Sequence, residues 1–135
     1  MSDTIEMLRK VPMFGELDED ELTWVVELAS GFEVPSGFVL IEHGQPGSGM
    51  FIITEGAVVV ELPQGPVELG PGEFVGELPL LADGITRVAR VRATSPVQGL
   101  AISRMAFTEL LDREPRVAVR MLPVLGRRLA EAETL

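Results

Sequence analysis

The sequence predicts a mainly β fold with flanking α-helices, namely an antiparallel β-barrel or sandwich between N-terminal and C-terminal helices. Residues 32–102 contain short apolar, β-branched runs separated by turns rich in Gly and Pro, which is typical of antiparallel barrels and sandwiches. On either side, apolar residues recur at helical spacing. A chain of 135 residues suits one domain. We expect entry helices over residues 1–31, the barrel over 32–102 and C-terminal helices over 103–135.

The N-terminal region is predicted to be helical, with a short helix over residues 5–8. A second helix begins at the acidic stretch 18–20, because negative charge favours a helix N-terminus. The apolar face of this helix follows the i, i+3, i+4, i+7 pattern and consists of Leu22, Val25, Val26 and Ala29. Gly31 is placed to end it.

Six apolar runs in the central region are predicted to be strands. They cover residues 38–41, 50–53, 57–62, 74–75, 88–91 and 97–102. Turn signals separate these runs at residues 35–37, 44–49, 55–56, 63–66 and 70–72. Strands this short and this closely spaced favour antiparallel pairing.

The C-terminal region returns to helical patterning. Ser103 is a good N-cap for a helix over residues 104–111, and Pro115 suits the first turn of a following helix. The last helix carries an apolar stripe, which consists of Val117, Met121, Leu125 and Leu129. Pro123 is predicted to kink or break this helix, because proline removes a backbone donor.

Composition excludes several classes of function. Eleven Lys and Arg against 21 Asp and Glu give a net charge of −10, which argues against a nucleic-acid or anionic membrane surface. The absence of cysteine excludes disulfides and thiolate metal sites and fits a reducing cytoplasm. We see no apolar run of membrane-spanning length and no signal-peptide core at the N-terminus. We therefore expect a cytoplasmic protein.

Catalytic and metal sites are not predicted. The single histidine, His43, lies in a glycine-rich turn, whereas metal-binding proteins with a similar barrel need several histidines. No nucleophile has a candidate base beside it. The expectation is a protein that is not an enzyme and holds no metal or cofactor.

The stretch "FVGELPLLADGITRVAR", residues 74–90, carries the candidate site. Gly76 permits close backbone approach, and the apolar turn after it exposes free N–H groups that suit an anion. The carboxylate of Glu77 can accept hydrogen bonds from hydroxyls. The planar guanidinium of Arg87 can bind a phosphate at two points. One segment thus offers groups for a phosphate and for a neighbouring sugar.

Strand alternation bears on the arginines of this segment. Arg87 and Ala89 share a face with small apolar residues, where an unpaired charge would be costly. Arg90 and Arg92 lie on the other face and are predicted to be surface residues. Three competing interpretations need no ligand. Arg87 is a strand-end cation on a solvated face, Glu77 is a helix-start carboxylate, or the two side chains pair with each other.

These segments resemble the cyclic nucleotide-binding domain of the catabolite activator protein, the regulatory subunit of cAMP-dependent protein kinase and cyclic-nucleotide-gated channels. "GFVLIEHGQPGSGMFIITEGAVVVE" is similar to the family's strand pattern. "GPGEFVGELPLL" with "TRVARVRA" is similar to its phosphate-binding cassette. "AISRMAFTELLDREP" resembles the segment after the barrel. The resemblance covers nearly the whole chain and implies the jelly-roll fold.

The resemblance implies ligand contacts by six residues: Gly76, Glu77, Leu78, Arg87, Val88 and Ala89. Gly76 and Leu78 would offer backbone amides, and Glu77 would accept from the ribose 2′-hydroxyl. Arg87 would pair with the exocyclic oxygens of the cyclic phosphate, and the amides of Val88 and Ala89 would complete the cradle.

The resemblance implies cAMP as the ligand, with cGMP as the alternative. The absence of threonine at position 88 favours cAMP over cGMP. Val88 occupies a site where many bacterial members have serine, so one hydroxyl contact to the phosphate is lost. The implied function is a regulatory domain whose C-terminal helices move on ligand binding and form a homodimer or contact a partner protein. Two alternatives stay open: a protein-interaction module with a degenerate pocket, and the sensor part of a longer transcription factor.

Overall fold

The computed structural model describes residues 2–42, 44, 49–76 and 89–132. The helical elements are α1, a 3-10 turn, α2, α3 and α4, which span Ser2–Arg9, Pro12–Phe14, Glu19–Leu28, Arg104–Arg113 and Pro115–Ala132. The strands β1 to β8 span Ser30–Val34, Val39–Ile41, Gly49–Glu55, Val58–Leu62, Gly65–Leu69, Phe74–Val75, Arg90–Ala93 and Val97–Ser103.

Within the described residues, the strands form two four-stranded antiparallel sheets. One sheet has the order β1-β8-β3-β6 and the other has the order β2-β7-β4-β5. Eight antiparallel strands distributed in this way are a jelly roll, and the predicted fold class is confirmed. One apolar cluster lies between the sheets and includes Val58 and Val91. A larger cluster joins the first sheet to the helices and includes Phe14 and Leu22.

Two strands are missing from the sequence prediction. Gly31 was expected to end α2, but α2 ends at Leu28, and Gly31 pairs with Leu100 as part of β1. The ladder to β8 therefore overrides the usual role of glycine at a helix end. Residues 63–66 were expected to form a turn only, but β5 begins at Gly65 and pairs with β4. This strand lies at a sheet edge, where Pro66 is tolerated because its nitrogen need not donate.

Helix α2 begins at a reciprocal cap. The Glu21 amide donates to the Asp18 carboxylate at 2.9 Å, and the Asp18 amide donates to the Glu21 carboxylate at the same distance. The two bonds satisfy two N–H groups that the helix itself leaves unpaired. Leu22 and Val25 are fully buried, as their spacing predicted, so the cap directs the apolar face of α2 into the core.

Helices α3 and α4 follow the last strand. The Ser103 hydroxyl accepts from the Ala106 amide at 3.1 Å, which confirms the predicted cap. Of the kink or break predicted at Pro123, the break is wrong, because α4 continues from Pro115 to Ala132. Burial of Val117 and Met121 holds the helix before the proline. The apolar stripe was also expected to include Leu129, but that side chain is 57% exposed.

Arginines of α4 attach it to the N-terminal helices. Arg116 forms ion pairs with Glu21 of α2 and, at 2.8 Å, with Glu114. Arg120 donates to the Pro12 carbonyl at 3.0 Å. The hydrogen bond from the Asp18 amide lowers the pKa of Glu21, with further lowering from Glu114 and Arg116. The hydrogen bond to Glu114 raises the pKa of Arg116. Glu21 therefore serves both the cap of α2 and the docking of α4.

We expect this role of Glu21 to appear in the pH dependence of stability. Its folded-state pKa lies below the ordinary value of 4.5, so its contribution is fully present above that pH and is lost as pH falls through the folded pKa. Glu21→Gln should therefore destabilise the protein at neutral pH, and the deficit should shrink in acid. Urea unfolding across the acid range measures this, with Glu109→Gln, an exposed glutamate of α3, as control. If the free energies of unfolding of the wild type and Glu21→Gln differ by the same amount at every pH, the proposed role of the Glu21 carboxylate is contradicted.

A second prediction concerns the turn at Gly56, which has φ +89°. A Cβ atom there would lie 2.1 Å from the Pro96 carbonyl oxygen, whereas one at Gly37, with φ +90°, would meet no atom within 4 Å. Gly37→Ala should cost only the left-handed backbone term of about 1–2 kcal/mol, and Gly56→Ala should cost more. Denaturant unfolding compares the two variants. An equal decrease in the free energy of unfolding of the two variants would show that the structure relieves the collision with Pro96 without an energetic cost.

Candidate functional site

The candidate segment joins the two sheets. Strand β6 ends at Val75 in the first sheet, and β7 begins at Arg90 in the second. Val75 and Val91 are 3% and 4% exposed and belong to the same apolar cluster between the sheets. Both ends of the segment are therefore anchored in one buried layer.

Two of the six predicted ligand contacts lie in the described part of the chain, namely Gly76 and Ala89. The other four, Glu77, Leu78, Arg87 and Val88, lie outside the described residues, as does His43. The predicted ligand contacts of all six remain predictions.

Gly76 begins the segment with a left-handed backbone. Its φ is +85°, a conformation that residues with a side chain adopt only with strain. The chain therefore turns sharply immediately after β6. This explains why glycine stands at the position from which the sequence predicts a backbone amide to face a ligand.

At the other end of the segment, buried and exposed side chains alternate as predicted. Ala89, Val91 and Ala93 are at most 4% exposed and face the buried layer. The side chains of Arg90 and Arg92 are 47% and 42% exposed, as expected for surface residues.

The surface arginines of β7 pair with carboxylates of neighbouring elements. Arg90 donates to Glu42 at 3.0 Å and lies 3.9 Å from Glu61, while Arg92 donates to Glu61 at 3.0 Å. The hydrogen bond to Glu42 raises the pKa of Arg90. Exposed ion pairs of this kind contribute little to stability, but they orient both guanidinium groups across the sheet surface.

Sequence reasoning missed one contact beside the site. Arg128 of α4 donates to the Phe74 carbonyl oxygen at 2.6 Å. Its guanidinium carbon also lies 4.6 Å from the centroid of the Phe74 ring. The two residues are 54 positions apart, so local patterning gives no signal for the pair. The C-terminal helix therefore contacts the strand that leads into Gly76.

Two surface grooves of about 380 and 360 Å³ lie elsewhere and share Met7 and Thr54 in their linings. Neither lining includes Gly76 or Ala89. Within the described residues, no three His, Asp or Glu side chains are grouped so that they could hold a metal ion.

Comparison with known proteins decides the family. A family model for the cyclic nucleotide-binding domain matches residues 32–114, which include both ends of the candidate segment. The chain belongs to this family. A cyclic nucleotide-gated potassium channel of Mesorhizobium japonicum is 37% identical over 113 residues, which are 84% of this chain and 31% of the channel. The chain spans about a third of the length of the first curated relatives it matches.

Solved structures of cyclic nucleotide-binding domains share the fold. The catabolite activator protein of Thermus thermophilus is 31% identical with a TM-score of 0.77, covering 90% of this chain and 59% of that one. The regulatory subunit of a cAMP-independent protein kinase A from Trypanosoma cruzi, bound to guanosine, is also 31% identical. Its TM-score is 0.74, with 89% of this chain and 44% of that chain covered. Among the helices described here, none is long and apolar enough to cross a bilayer.

Proposed function

We propose that residues 1–135 form one sensory domain that binds a cyclic nucleotide, preferentially cAMP, in the segment between Gly76 and Ala89. The observation that carries the proposal is the match of the family model across this segment. The positive φ of Gly76 and the burial of Ala89 support it, since they give the segment a sharp entry and a fixed exit.

The proposed contacts divide between sugar and phosphate. Glu77 accepts a hydrogen bond from the ribose 2′-hydroxyl, for which a carboxylate is suited. Arg87 binds the exocyclic oxygens of the cyclic phosphate through its planar guanidinium. The amides of Gly76, Leu78, Val88 and Ala89 supply the remaining donors.

The acidic character of the chain is compatible with an anionic ligand. The net charge is −10, but at physiological salt the interactions between exposed charges are screened beyond about 8 Å. Arg90 and Arg92 are already paired with Glu42 and Glu61. The cation that the proposal assigns to the phosphate is therefore Arg87.

Ligand binding is proposed to bias the position of α4. A ligand shifts such an equilibrium only by its difference in affinity for the two helix positions. The contact between Arg128 and Phe74 places α4 against the strand that enters the binding segment. Movement of α4 would transmit the signal to a second copy of the chain or to a partner protein.

One alternative ligand class has a specific observation behind it. The Trypanosoma cruzi relative is described as cAMP-independent and bound to guanosine, so a nucleoside without the cyclic phosphate belongs in the binding test. The protein-interaction module without a nucleotide is the outcome that remains if no ligand binds. The match covers only 31% of the potassium channel. This is compatible with the alternative in which the chain is the sensor part of a longer protein.

Thermal unfolding with added ligand tests the proposal. A ligand at 100 times its dissociation constant stabilises the native state by about 2.7 kcal/mol, which raises the Tm of a domain of this size by several degrees. We expect cAMP to give the largest shift, cGMP a smaller one and guanosine none. No shift with either cyclic nucleotide at about 1 mM would reject cyclic-nucleotide sensing. A shift with guanosine alone would reassign the ligand.

Substitutions then test the site. Charged hydrogen bonds contribute about 1.5–3 kcal/mol each, so Arg87→Gln should weaken cAMP binding by about 10-fold to 100-fold. Glu77→Gln should weaken it less, because an amide oxygen still accepts from the ribose hydroxyl. Arg90→Gln is the matched control and should bind as the wild type does. Titration calorimetry measures all three, and wild-type affinity in Arg87→Gln would show that the phosphate site is misassigned.

A further inference from the structure

Strand β6 is short and stands at the end of the described strand order of its sheet. It contains only Phe74 and Val75, and β3 is its sole neighbour in the described strand order. An edge strand presents carbonyl groups on its free side that need partners from elsewhere. For Phe74, Arg128 supplies that partner at 2.6 Å.

Arg128 contacts both the backbone and the side chain of Phe74. The guanidinium donates to the carbonyl oxygen and also lies over the ring, with its central carbon 4.6 Å from the ring centroid. Phe74 is 2% exposed and belongs to the larger apolar cluster, so the ring is a fixed platform. A charged donor and a cation–π contact converging on one residue restrain the peptide unit that follows it.

The position of Arg128 along α4 gives this contact a role that the other arginines do not share. Arg116 and Arg120 attach the first half of α4 to α2 and to the 3-10 turn. Arg128 lies eight positions beyond Arg120, about 12 Å further along the helix axis. It extends the attachment of α4 from the helical layer to the sheet.

We propose that Arg128 is a positioning residue for the nucleotide site, acting through Phe74. It fixes the peptide between Phe74 and Val75 and thereby the direction in which the chain enters Gly76, where the sharp turn begins. The effect on ligand affinity rests on the proposed function. By linkage, a ligand that needs the ordered entry also strengthens the docking of α4.

The test compares four proteins: the wild type, Arg128→Gln, Arg128→Lys and Arg127→Gln. Arg127 is an exposed neighbour on the same helix, so its substitution removes the same charge. Calorimetry with cAMP gives the affinity, and thermal unfolding of the ligand-free proteins gives stability. Hydrogen exchange of ligand-free protein reports on the amides of residues 74–76 and of the last turns of α4.

Arg128→Gln should bind cAMP about tenfold more weakly than the wild type. It should also exchange faster both at residues 74–76 and in the last turns of α4. Arg128→Lys keeps a charged donor but loses the planar stack, and its affinity should fall between the two. Arg127→Gln should match the wild type in affinity and in exchange.

Other outcomes separate this inference from the function on which it rests. A lower Tm for Arg128→Gln with unchanged affinity would overturn the positioning role and leave a structural one. If the wild-type protein binds no cyclic nucleotide, the proposed function fails. Hydrogen exchange in the ligand-free proteins then tests by itself whether Arg128 restrains the chain at Phe74. Identical exchange in Arg128→Gln and Arg127→Gln would then overturn it.

Discussion

The pairing of β8 with both β1 and β3 is the constraint on which the other parts depend. Gly99 lies at its centre, and a Cβ atom there would fall 2.1 Å from the Ile52 carbonyl and 2.8 Å from the Phe32 ring. Close contact of three strands therefore requires glycine at this position. The same strand ends at Ser103, which caps α3. The placement of β8 thus sets where the C-terminal helices begin and where α4 returns to β6.

The sequence predicts much of this architecture where the signal is local. Short apolar runs predict β7 and β8, and the acidic start and Ser103 predict the N-termini of α2 and α3. Strands β1 and β5 are missed because SGFEV and GPVEL contain Gly, Pro and charged residues. They are strands because β1 pairs with β8 and β5 pairs with β4. The first pairing joins residues far apart in the sequence, and the second involves residues whose composition is typical of a turn. The unbroken α4 is a similar case, because tertiary packing overrides the local effect of Pro123.

The candidate site divides along the same line. Its predicted residues form one short motif, so a single sequence suffices to propose Gly76, Glu77 and Arg87 together. The alternation that separates the buried face of β7 from Arg90 and Arg92 is also local, and burial agrees with it. Arg128 has no such signal. Its partner is a backbone carbonyl, which any residue supplies, so nothing in the sequence marks the pair before the fold brings α4 to β6.

Pro123 gives α4 a mechanical property that its continuity conceals. Proline has no N–H, so the Val119 carbonyl loses its usual intrahelical donor. The missing bond lies in the turn that contains Arg120, on the N-terminal side of the part of α4 held by Arg128. Helices bend most readily where a proline removes such a bond, so this turn is the weak point of α4. If α4 moves on ligand binding as proposed, this turn is where its distal part would bend relative to the part seated on the helical layer.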